Sequence, residues 1–292
     1  MKKPSLWTSL SLASLFALSV AGTALASEPE HSQPHDVRSS VLWMGTSVEY
    51  AASTTQVWKL GCAQIDKALA DKNWTAAVEQ EGTDFQDKPP AVITDLDETA
   101  ILNLSFQAEM IKRGMGYSSK IFSEWKKYEA ATPIPGAVEC LQEAHKKGVQ
   151  IFYVTAGKHK VEGHIKNNLE KLGFPMTEGV DTLLTKNEKP EWRSDKSTRR
   201  AHIAEDYRIV AMFGDKMNDF VSGTATKTLE GRNAVYEQHK DKIGEKWFVL
   251  PNPLYGDWDQ SLYERNFKLS EKEQRDMKEQ YLKPFSELPP PS

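Results

Sequence analysis

Two aspartates that follow a short apolar segment are the residues best suited to chemistry. Residues 91–94 are rich in β-branched side chains and run into Asp95, with a second acid at Asp97 and a hydroxyl at Thr99. Side chains alternate along a strand, so both carboxylates can point the same way at its carboxyl end, where open α/β sheets bind ligands. Adjacent carboxylates repel unless they hold a cation, share a proton or differ in role. The pair therefore indicates a catalytic or metal site, although acidic pairs also end strands or cap helices.

Polar side chains follow two further predicted strands. One strand ends at Thr155, and another ends just before Asp215 and Asp219, with Lys196 ahead of the intervening helix. Mg²⁺ takes oxygen ligands and is typically held by one or two carboxylates together with substrate phosphate. A hydroxyl and a lysine suit the phosphate oxygens. A carboxylate can attack phosphorus, and a second acid can protonate the leaving oxygen, so the set indicates phosphoryl transfer.

Each of these residues also has a simpler interpretation. Thr155 alone could be an ordinary hydroxyl at the end of a strand, and Asp219 could only cap a helix. Lys186 or Lys189 could bind phosphate in place of Lys196, because this part of the chain is rich in lysine. The choice of Lys196 depends on its position directly before the helix that leads to Asp215.

The elements that must position these residues alternate between strand and helix. This alternation is typical of an α/β fold with a parallel sheet covered on both faces. Apolar residues from Val41 to Leu69 recur at spacings of three and four, which predicts one long helix. The predicted strands are residues 91–94, 149–156, 182–185, 209–213 and 247–250, and further helices are expected at 137–147, 159–172 and 270–283.

An aromatic-rich segment, residues 100–135, follows the acidic strand and is expected to lie over the site. Most of its rings should pack inward, with one or two facing a ligand. We take Phe106, Trp125 and, near the end of the chain, Tyr255 as candidates for substrate contact. Aromatic rings at such positions can stack on a substrate ring, or they can be core residues.

Residues 1–26 have the pattern of a secretory signal peptide, with two lysines, an apolar stretch from residue 10 to 20 and a small-x-small site at 24–26. An uncleaved anchor is less favoured, because serines interrupt the stretch and it is shorter than the roughly 20 residues of a span. We expect an exported protein, periplasmic in a Gram-negative host. The chain of 292 residues has a net charge of −4 and no basic block, which excludes a nucleic-acid polymer as partner. Cys62 and Cys140 could form a disulfide or remain free.

Four motifs occur in the order of the haloacid dehalogenase (HAD) superfamily, which the chain resembles: DLDET, VTAGK, DKSTRR and GDKMNDF. More narrowly, it resembles the exported bacterial class C acid phosphatases, because it also carries a signal peptide, TSVEY, IPGA and PNPLYGDW. The resemblance covers roughly residues 40–260. It implies a Rossmann-like HAD core with a smaller helical cap, formed by the N-terminal segment and the segment after the first strand.

The resemblance also implies a role for each motif residue. It implies that Asp95 is the nucleophile and a Mg²⁺ ligand, and that Asp97 is the general acid/base with its backbone carbonyl facing the metal. It implies that Thr155 and Lys196 bind the phosphoryl group. Asp215 would be a metal ligand, and Asp219 would be a direct ligand or an outer-shell partner. The chain departs from the family pattern where TAGK replaces a motif with Asn and Arg after the Thr, and where Lys216 stands at a frequent Asn position. The roles of Lys158 and Lys216 are therefore open.

The resulting prediction is a signal peptide (1–26) followed by one HAD-like phosphatase domain (27–292). This domain would contain a helical N-terminal segment (37–80), the cap insertion (100–135) and a C-terminal helix with a Pro-rich tail (265–292). The predicted function is Mg²⁺-dependent hydrolysis of phosphomonoesters, with 5′-nucleotides as one candidate class and an acid optimum. The alternatives are a surface protein that binds nucleotides with vestigial catalysis, or a phosphotransferase. The resemblance also suggests a homodimer.

Overall fold

A five-stranded parallel sheet forms the centre of the computed structural model, which describes residues 36–287. In chain order the strands are β1 (Pro90–Thr94), β2 (Ile101–Leu102), β3 (Thr132–Pro133), β4 (Gln150–Lys158), β5 (Leu183–Lys186), β6 (Arg208–Gly214) and β7 (Trp247–Val249). The large sheet has the order β5-β4-β1-β6-β7, and β2 and β3 form a separate antiparallel pair. The sheet confirms the predicted α/β class.

Helices cover both faces of this sheet. They are α1 (Arg38–Thr46), α2 (Val48–Ala70), α3 (Leu104–Arg113), α4 (Ser119–Lys126), α5 (Ala137–Lys146), α6 (Glu162–Leu172), α7 (Ser197–Asp206), α8 (Leu229–His239), α9 (Asp257–Ser261) and α10 (Glu271–Glu279). Alternate residues of β1 face opposite layers: Val92 packs with Trp58 and Leu141, whereas Ile93 packs with Ile203. Burial on both faces explains why the strands read as continuous apolar runs rather than alternating ones.

The long helix predicted from Val41 to Leu69 is in fact two helices. The backbone of Ser47 is extended, and its hydroxyl accepts a hydrogen bond from the Tyr50 amide at 3.0 Å. Such an N-cap satisfies a free amide of the new helix, so the chain can change direction while the apolar spacing continues. As a result α1 packs against α3, whereas α2 packs on α5 and β6 in the sheet layer.

The segment after β1 leaves the sheet and returns close to its starting point. β2 pairs with β3, and the Ile134 amide donates to the Ala100 carbonyl at 2.9 Å. Between these two strands lie α3 and α4, the helical part of the predicted insertion at 100–135. This closed loop holds α4 beside the carboxyl end of β1.

Cys62 on α2 and Cys140 on α5 form a disulfide, which settles the alternative that the sequence left open. It joins two helices of the same layer. The C-terminal helix is shorter than predicted, because it ends at Glu279 rather than at residue 283. Of the described helices, none is long and apolar enough to cross a membrane. The predicted signal peptide and residues 288–292 of the tail lie outside the described residues.

Candidate active site

The carboxyl ends of β1, β4 and β6 bring the predicted acids, hydroxyl and lysine together. β1 is the middle strand of the three, and the Asp95 amide continues its ladder by donating to the Phe213 carbonyl of β6 at 2.9 Å. Asp95, Asp97, Asp215 and Asp219 are each at most 9% exposed. Buried carboxylates need partners, so the contacts of each acid indicate what it can do.

Asp95 and Asp219 share one lysine. The ammonium of Lys196 donates to Asp95 Oδ1 and lies 2.7 Å from Asp219 Oδ1. Lys196 is 3% exposed and directly precedes α7, the position for which the sequence favoured it. The alternatives lie elsewhere: Lys186 donates to Ser194 Oγ at 2.6 Å, and the ammonium of Lys189 lies 4.4 Å from the Trp192 ring.

Three carboxylates form a group that could hold a metal ion. Asp95, Asp215 and Asp219 each offer an oxygen, and these atoms lie within 4.8 Å of one another. Asp219 Oδ2 accepts from the amides of Asp215 and Lys216 at 3.1 and 2.9 Å, which fixes the loop after β6. A side chain at Gly214 would collide with Asp219, since a Cβ there would lie 2.5 Å from the Asp219 Cβ.

The residues present fit a hard divalent cation. Asp215 Oδ1 is buried without a hydrogen-bond partner among the described residues, and the nearest cation, the Lys216 ammonium, is 3.8 Å away. Burial, with Asp219 and Asp95 adding to it, raises the pKa of Asp215 well above its ordinary value despite Lys216. All-oxygen ligands with uncompensated negative charge are what Mg²⁺ requires.

Asp97 has a different set of partners. Its Oδ1 accepts from the Lys126 ammonium and from Asn103 Nδ2 at 3.0 Å, and Thr155 Oγ1 donates to its Oδ2 at 3.2 Å. Burial alone would raise the pKa of Asp97, but Lys126 and Asn103 outweigh it, so the pKa lies below the ordinary value. Asp95 shows the opposite balance, because burial raises its pKa more than Lys196 lowers it.

Lys126 is one site residue that sequence reasoning missed. It lies at the end of α4, is 5% exposed, and contacts Asp97 and Asn103 Oδ1. No pattern distinguishes it from its neighbour Lys127, which instead pairs with Glu124 at the surface. Only the return of the chain through β3 brings α4 to Asp97.

Glu98 is a second missed residue, although it belongs to the DLDET motif. Its backbone is left-handed, with φ of 62°, and its side chain is fully buried. Tyr255 donates its hydroxyl to Glu98 Oε2, and the amide and Nδ2 of Asn103 donate to Oε1 at 3.0 and 3.1 Å. Burial, then Asp97, raises the pKa of Glu98 to about 7.

The three predicted substrate-contact residues differ in placement. Tyr255 lies at the site, where its hydroxyl donates to Glu98. The Lys216 ammonium lies over the Tyr255 ring, 5.4 Å from the ring centroid. Trp125 is half-buried, and its Nε1 donates to Asn103 Oδ1 at 2.9 Å. Phe106 is 2% exposed and packs edge-to-face on Tyr117 and Phe122, so it supports the wall of the site rather than facing it.

Arg199 of the DKSTRR motif holds two strand ends together. Its guanidinium is fully buried and donates to the carbonyls of Thr155 on β4 and Leu184 on β5. Burial lowers the pKa of Arg199 to about 10. The motif thus supplies Lys196 to the acids and Arg199 to the backbone beneath Thr155.

A second group of potential metal ligands includes His159, which directly follows β4. The fold places it beside Glu162 and Glu188, with ligand atoms within 4.8 Å of one another. His159 Nδ1 lies 2.7 Å from Glu162 Oε2, and this pair raises the pKa of His159. The group is partly exposed and satisfied by its own hydrogen bonds.

The chain matches a known family over most of its length. The model of the HAD superfamily, subfamily IIIB (Acid phosphatase), matches residues 25–258. The structure is similar to two structures of a class C acid phosphatase from Bacillus anthracis, one of them with tungstate bound. That similarity has a TM-score of 0.73 and 33% identity, and it covers 85% of this chain and 96% of that one.

A curated relative matches a shorter region. A Bacillus cereus protein named "Putative nucleotidase" is 30% identical over 89 residues. The match covers 30% of this chain and 42% of that relative, so it spans less than half the length of either protein.

Proposed function

Because the chain belongs to the acid phosphatase family of the HAD superfamily, subfamily IIIB, we propose that it is an exported, Mg²⁺-dependent acid phosphatase. Its substrates would be small phosphomonoesters, including 5′-nucleotides, and Asp95 would be the nucleophile. The observation that carries the proposal is the separation of two adjacent acids into two environments. Asp95 joins Lys196 and the three-carboxylate cluster, whereas Asp97 faces Lys126 and Thr155.

Two acids with different partners can perform two different tasks. In the first step Asp95 attacks phosphorus, the bond from phosphorus to the ester oxygen breaks, and Asp97 gives its proton to that oxygen. In the second step water attacks the phosphorus of the aspartyl-phosphate and gives a proton to Asp97, and the bond from phosphorus to the Asp95 oxygen breaks. Inorganic phosphate leaves, and both carboxyl groups return to their starting states.

Lys196 and Thr155 would bind the phosphoryl group beside these acids. Lys196 lies between Asp95 and Asp219 in the protein alone, so its ammonium is already positioned where phosphate oxygens would accumulate charge. Thr155 provides a hydroxyl on the side of Asp97. Fixed donors of this kind stabilise the transition state because they need no reorganisation during the reaction.

Mg²⁺ would be held by Asp95, Asp215 and Asp219, with the Asp97 carbonyl as a further candidate ligand, and would supply positive charge to the phosphoryl oxygens. The cluster supports this assignment through its all-oxygen donors and the unpartnered Asp215 Oδ1. Lys216 contributes positive charge nearby, 3.8 Å from that atom. We expect it to weaken the affinity for the ion relative to a neutral residue at the same position.

An acid optimum follows from the roles of the two acids. The first step needs a protonated Asp97, and the Lys126 ammonium opposes protonation by lowering the pKa of Asp97. The protonated fraction of Asp97 therefore grows as the pH falls. Burial raises the pKa of Asp95, so a bound cation together with Lys196 would have to keep Asp95 ionised, and with the cation present the rate should rise from neutral toward acid pH. A rate that increased steadily above neutrality would contradict this assignment.

Export and nucleotide hydrolysis rest on separate observations. The pattern of residues 1–26 supports export to the periplasm of a Gram-negative host. A relative named as a nucleotidase supports 5′-nucleotides as substrates. A homodimer stays a prediction from the family resemblance.

The decisive assay is phosphate release from p-nitrophenyl phosphate and 5′-nucleotides by the mature protein. We expect activity with Mg²⁺, loss of activity with a chelator, and a fall of at least about 10⁴-fold in Asp95→Asn. Absence of turnover in the wild type with metal present would favour the alternative of a nucleotide-binding protein. Transfer of phosphate to added alcohols at the expense of release would favour a phosphotransferase.

A further inference from the structure

A cavity of about 260 Å³ has Lys126, the lysine that donates to Asp97, in its wall. Gly157, two residues after Thr155, also forms part of this wall. The cavity therefore adjoins the position where the leaving group of a phosphomonoester would emerge. Its other walls include the Phe122 ring and two lysines, Lys158 and Lys186.

These two lysines face the same way from neighbouring strands. Lys158 on β4 and Lys186 on β5 are partners in the parallel ladder. Neighbouring strands lie about 4.8 Å apart, and paired residues point to the same face of the sheet. Like charges placed opposite each other in a sheet destabilise it. The arrangement is therefore unfavourable unless something negative compensates it.

No carboxylate of the described residues provides that compensation. The Lys158 ammonium donates to Ser119 Oγ at 2.9 Å, and the Lys186 ammonium donates to Ser194 Oγ at 2.6 Å. Neither lysine has an ion pair within residues 36–287, whereas Lys126 is already paired with Asp97. The cavity thus contains two positive charges whose hydrogen-bond partners, among the described residues, are neutral hydroxyls.

The surroundings of Lys186 add further positive charge. Burial lowers the pKa of Lys186 first, and Lys158, Arg199 and Arg193 lower it further. Arg199 donates its hydrogen bonds to backbone carbonyls, and Arg193 donates to Asn187 Oδ1 at 3.1 Å, so neither pairs with an acid within residues 36–287. The region beside the cavity therefore has a positive potential that its own side chains do not cancel.

We propose that this cavity binds a second anionic group on the leaving group of the substrate, a phosphate or a carboxylate, through Lys158 and Lys186. The inference rests on the proposed function, because it assigns the bound phosphoryl group to Asp95. It names the preferred substrate class as phosphomonoesters with two anionic groups, such as nucleoside bisphosphates or phosphorylated sugar acids. An ammonium group binds phosphate and carboxylate oxygens as a point charge. Neither Lys158 nor Lys186 is paired with an acid among the described residues, so both can bind an anion in this way.

The wall of the cavity includes the part of VTAGK that departs from the family pattern. Gly157 and Lys158 both line the cavity, and a Cβ at Gly157 would lie 2.8 Å from Ile165 Cδ1 and 3.2 Å from Thr155 Oγ1. A larger residue therefore does not fit at position 157 without movement of these neighbours. The departure from the family pattern also places a cation, Lys158, in the cavity wall.

Matched substrate pairs test the inference. Adenosine 3′,5′-bisphosphate is compared with adenosine 5′-phosphate, with analysis of which phosphate leaves, and 6-phosphogluconate with glucose 6-phosphate. We expect kcat/KM for the substrate with two anionic groups to be about tenfold higher, the gain from one charge-assisted contact. The nucleotide pair reports a second phosphate, and the sugar pair reports a carboxylate.

The variants Lys158→Gln and Lys186→Gln should each reduce this preference about threefold or more, and the double variant should abolish it. Lys160→Gln is the matched control, because Lys160 is an exposed lysine two residues from Lys158 and is not part of the cavity wall. Its preference should equal that of the wild type. Absence of any preference in the wild type, or its persistence in the double variant, would overturn the inference.

Equilibrium binding separates this result from the proposed function. In the Asp95→Asn background, calorimetry should show tighter binding of adenosine 3′,5′-bisphosphate than of adenosine 5′-phosphate, again by about tenfold. The two lysine substitutions should remove that difference as well. If the protein turned over no substrate, the proposed function would fail, and the binding ratio would still decide whether the cavity recognises a second anion.

Discussion

The carboxyl edge of the sheet has an acidic part and a basic part, and each part places like charges close together. On the acidic side, at the ends of β1 and β6, Asp95, Asp215 and Asp219 converge, with Lys196 between two of them. On the basic side, at the ends of β4 and β5, Lys158 and Lys186 lie together, and within residues 36–287 their hydrogen-bond partners are hydroxyls. Both sides therefore hold charge that this part of the chain does not neutralise.

The difference lies in what would complete each side. Three oxygen ligands with one unpartnered oxygen call for a small divalent cation, and paired ammonium groups call for an anion. Asp97 and Lys126 lie at the boundary and already neutralise each other. A substrate with one phosphoryl group on the acidic side and a second anion on the basic side would satisfy both.

The largest effect should come from Asp215→Asn on the acidic side. Loss of a metal ligand should reduce kcat/KM about a thousandfold. In the metal-free protein the same change should raise the melting temperature, because it removes a buried charge that Asp219 and Asp95 oppose. The stabilisation by added Mg²⁺ seen in the wild type should also disappear. Calorimetric melting with and without Mg²⁺ measures both effects.

Asp257→Asn is the matched control for removal of a buried acid. Asp257 is not a member of the three-carboxylate cluster and pairs with Arg265 at 2.6 Å, so its loss should lower the melting temperature and leave the effect of Mg²⁺ intact. If Asp215→Asn behaved like Asp257→Asn, the acidic side would be an ordinary set of ion pairs. The acidic side would then not be a site that a cation completes, and the contrast with the basic side would be wrong.

A smaller effect should come from Glu98→Gln. Glu98 has no basic partner among residues 36–287, and its pKa is raised from 4.5 to about 7. Since the raised pKa favours the protonated form in the folded protein, wild-type stability should be lost as the pH rises from about 4.5 through about 7. Glu98→Gln mimics the protonated form and should remove up to about 3 kcal/mol of this pH dependence.

Denaturant unfolding of the metal-free proteins at acid and neutral pH measures this difference. Glu178→Gln is the control, since Glu178 is an exposed residue whose loss should not alter the pH dependence. Equal pH dependence in wild type and Glu98→Gln would mean that Glu98 is compensated in the folded protein. Glu98 would then not belong to the buried acids whose charge the acidic side leaves uncompensated.

The sheet and the meeting of the acids at its edge could be predicted from the sequence, because each depends on local patterns. A β-branched strand followed by D-x-D marks its own carboxyl end, and Gly214 with Asp219 marks the turn after β6. The partners of Asp97 could not be predicted in this way. Lys126 is separated from it by two helices and resembles Lys127 in the sequence, and only the pairing of β2 with β3 brings it to the site.

The cation pair on the basic side was also outside the reach of sequence patterns. Lys158 and Lys186 become neighbours through the register of β4 with β5, and a shift by one residue would point one of them to the other face. The break at Ser47 was missed for a related reason. The apolar spacing continues across it, so only the backbone of Ser47 reveals two helices.

The smallest effect concerns the boundary between the two sides. Lys126→Met removes the charge that lowers the pKa of Asp97, so Asp97 should stay protonated to a higher pH. The decline of kcat/KM on the alkaline side should therefore move up by about one pH unit. Lys127→Met is the control, because Lys127 pairs with Glu124 at the surface and should leave the pH profile unchanged. An unchanged profile in Lys126→Met would mean that Asp97 does not donate the proton.

The most direct test of the account is a pre-steady-state experiment on Asp97→Asn with p-nitrophenyl phosphate and Mg²⁺. p-Nitrophenolate needs no proton to leave, so the first step should proceed while hydrolysis of the aspartyl-phosphate, which needs Asp97 as base, should be slow. We predict a burst of about one p-nitrophenol per protein molecule, with a phosphoryl group on Asp95 by peptide mass spectrometry. A burst without phosphate on Asp95, or no burst with steady turnover, would contradict the assignment of Asp95 as nucleophile and Asp97 as acid and base.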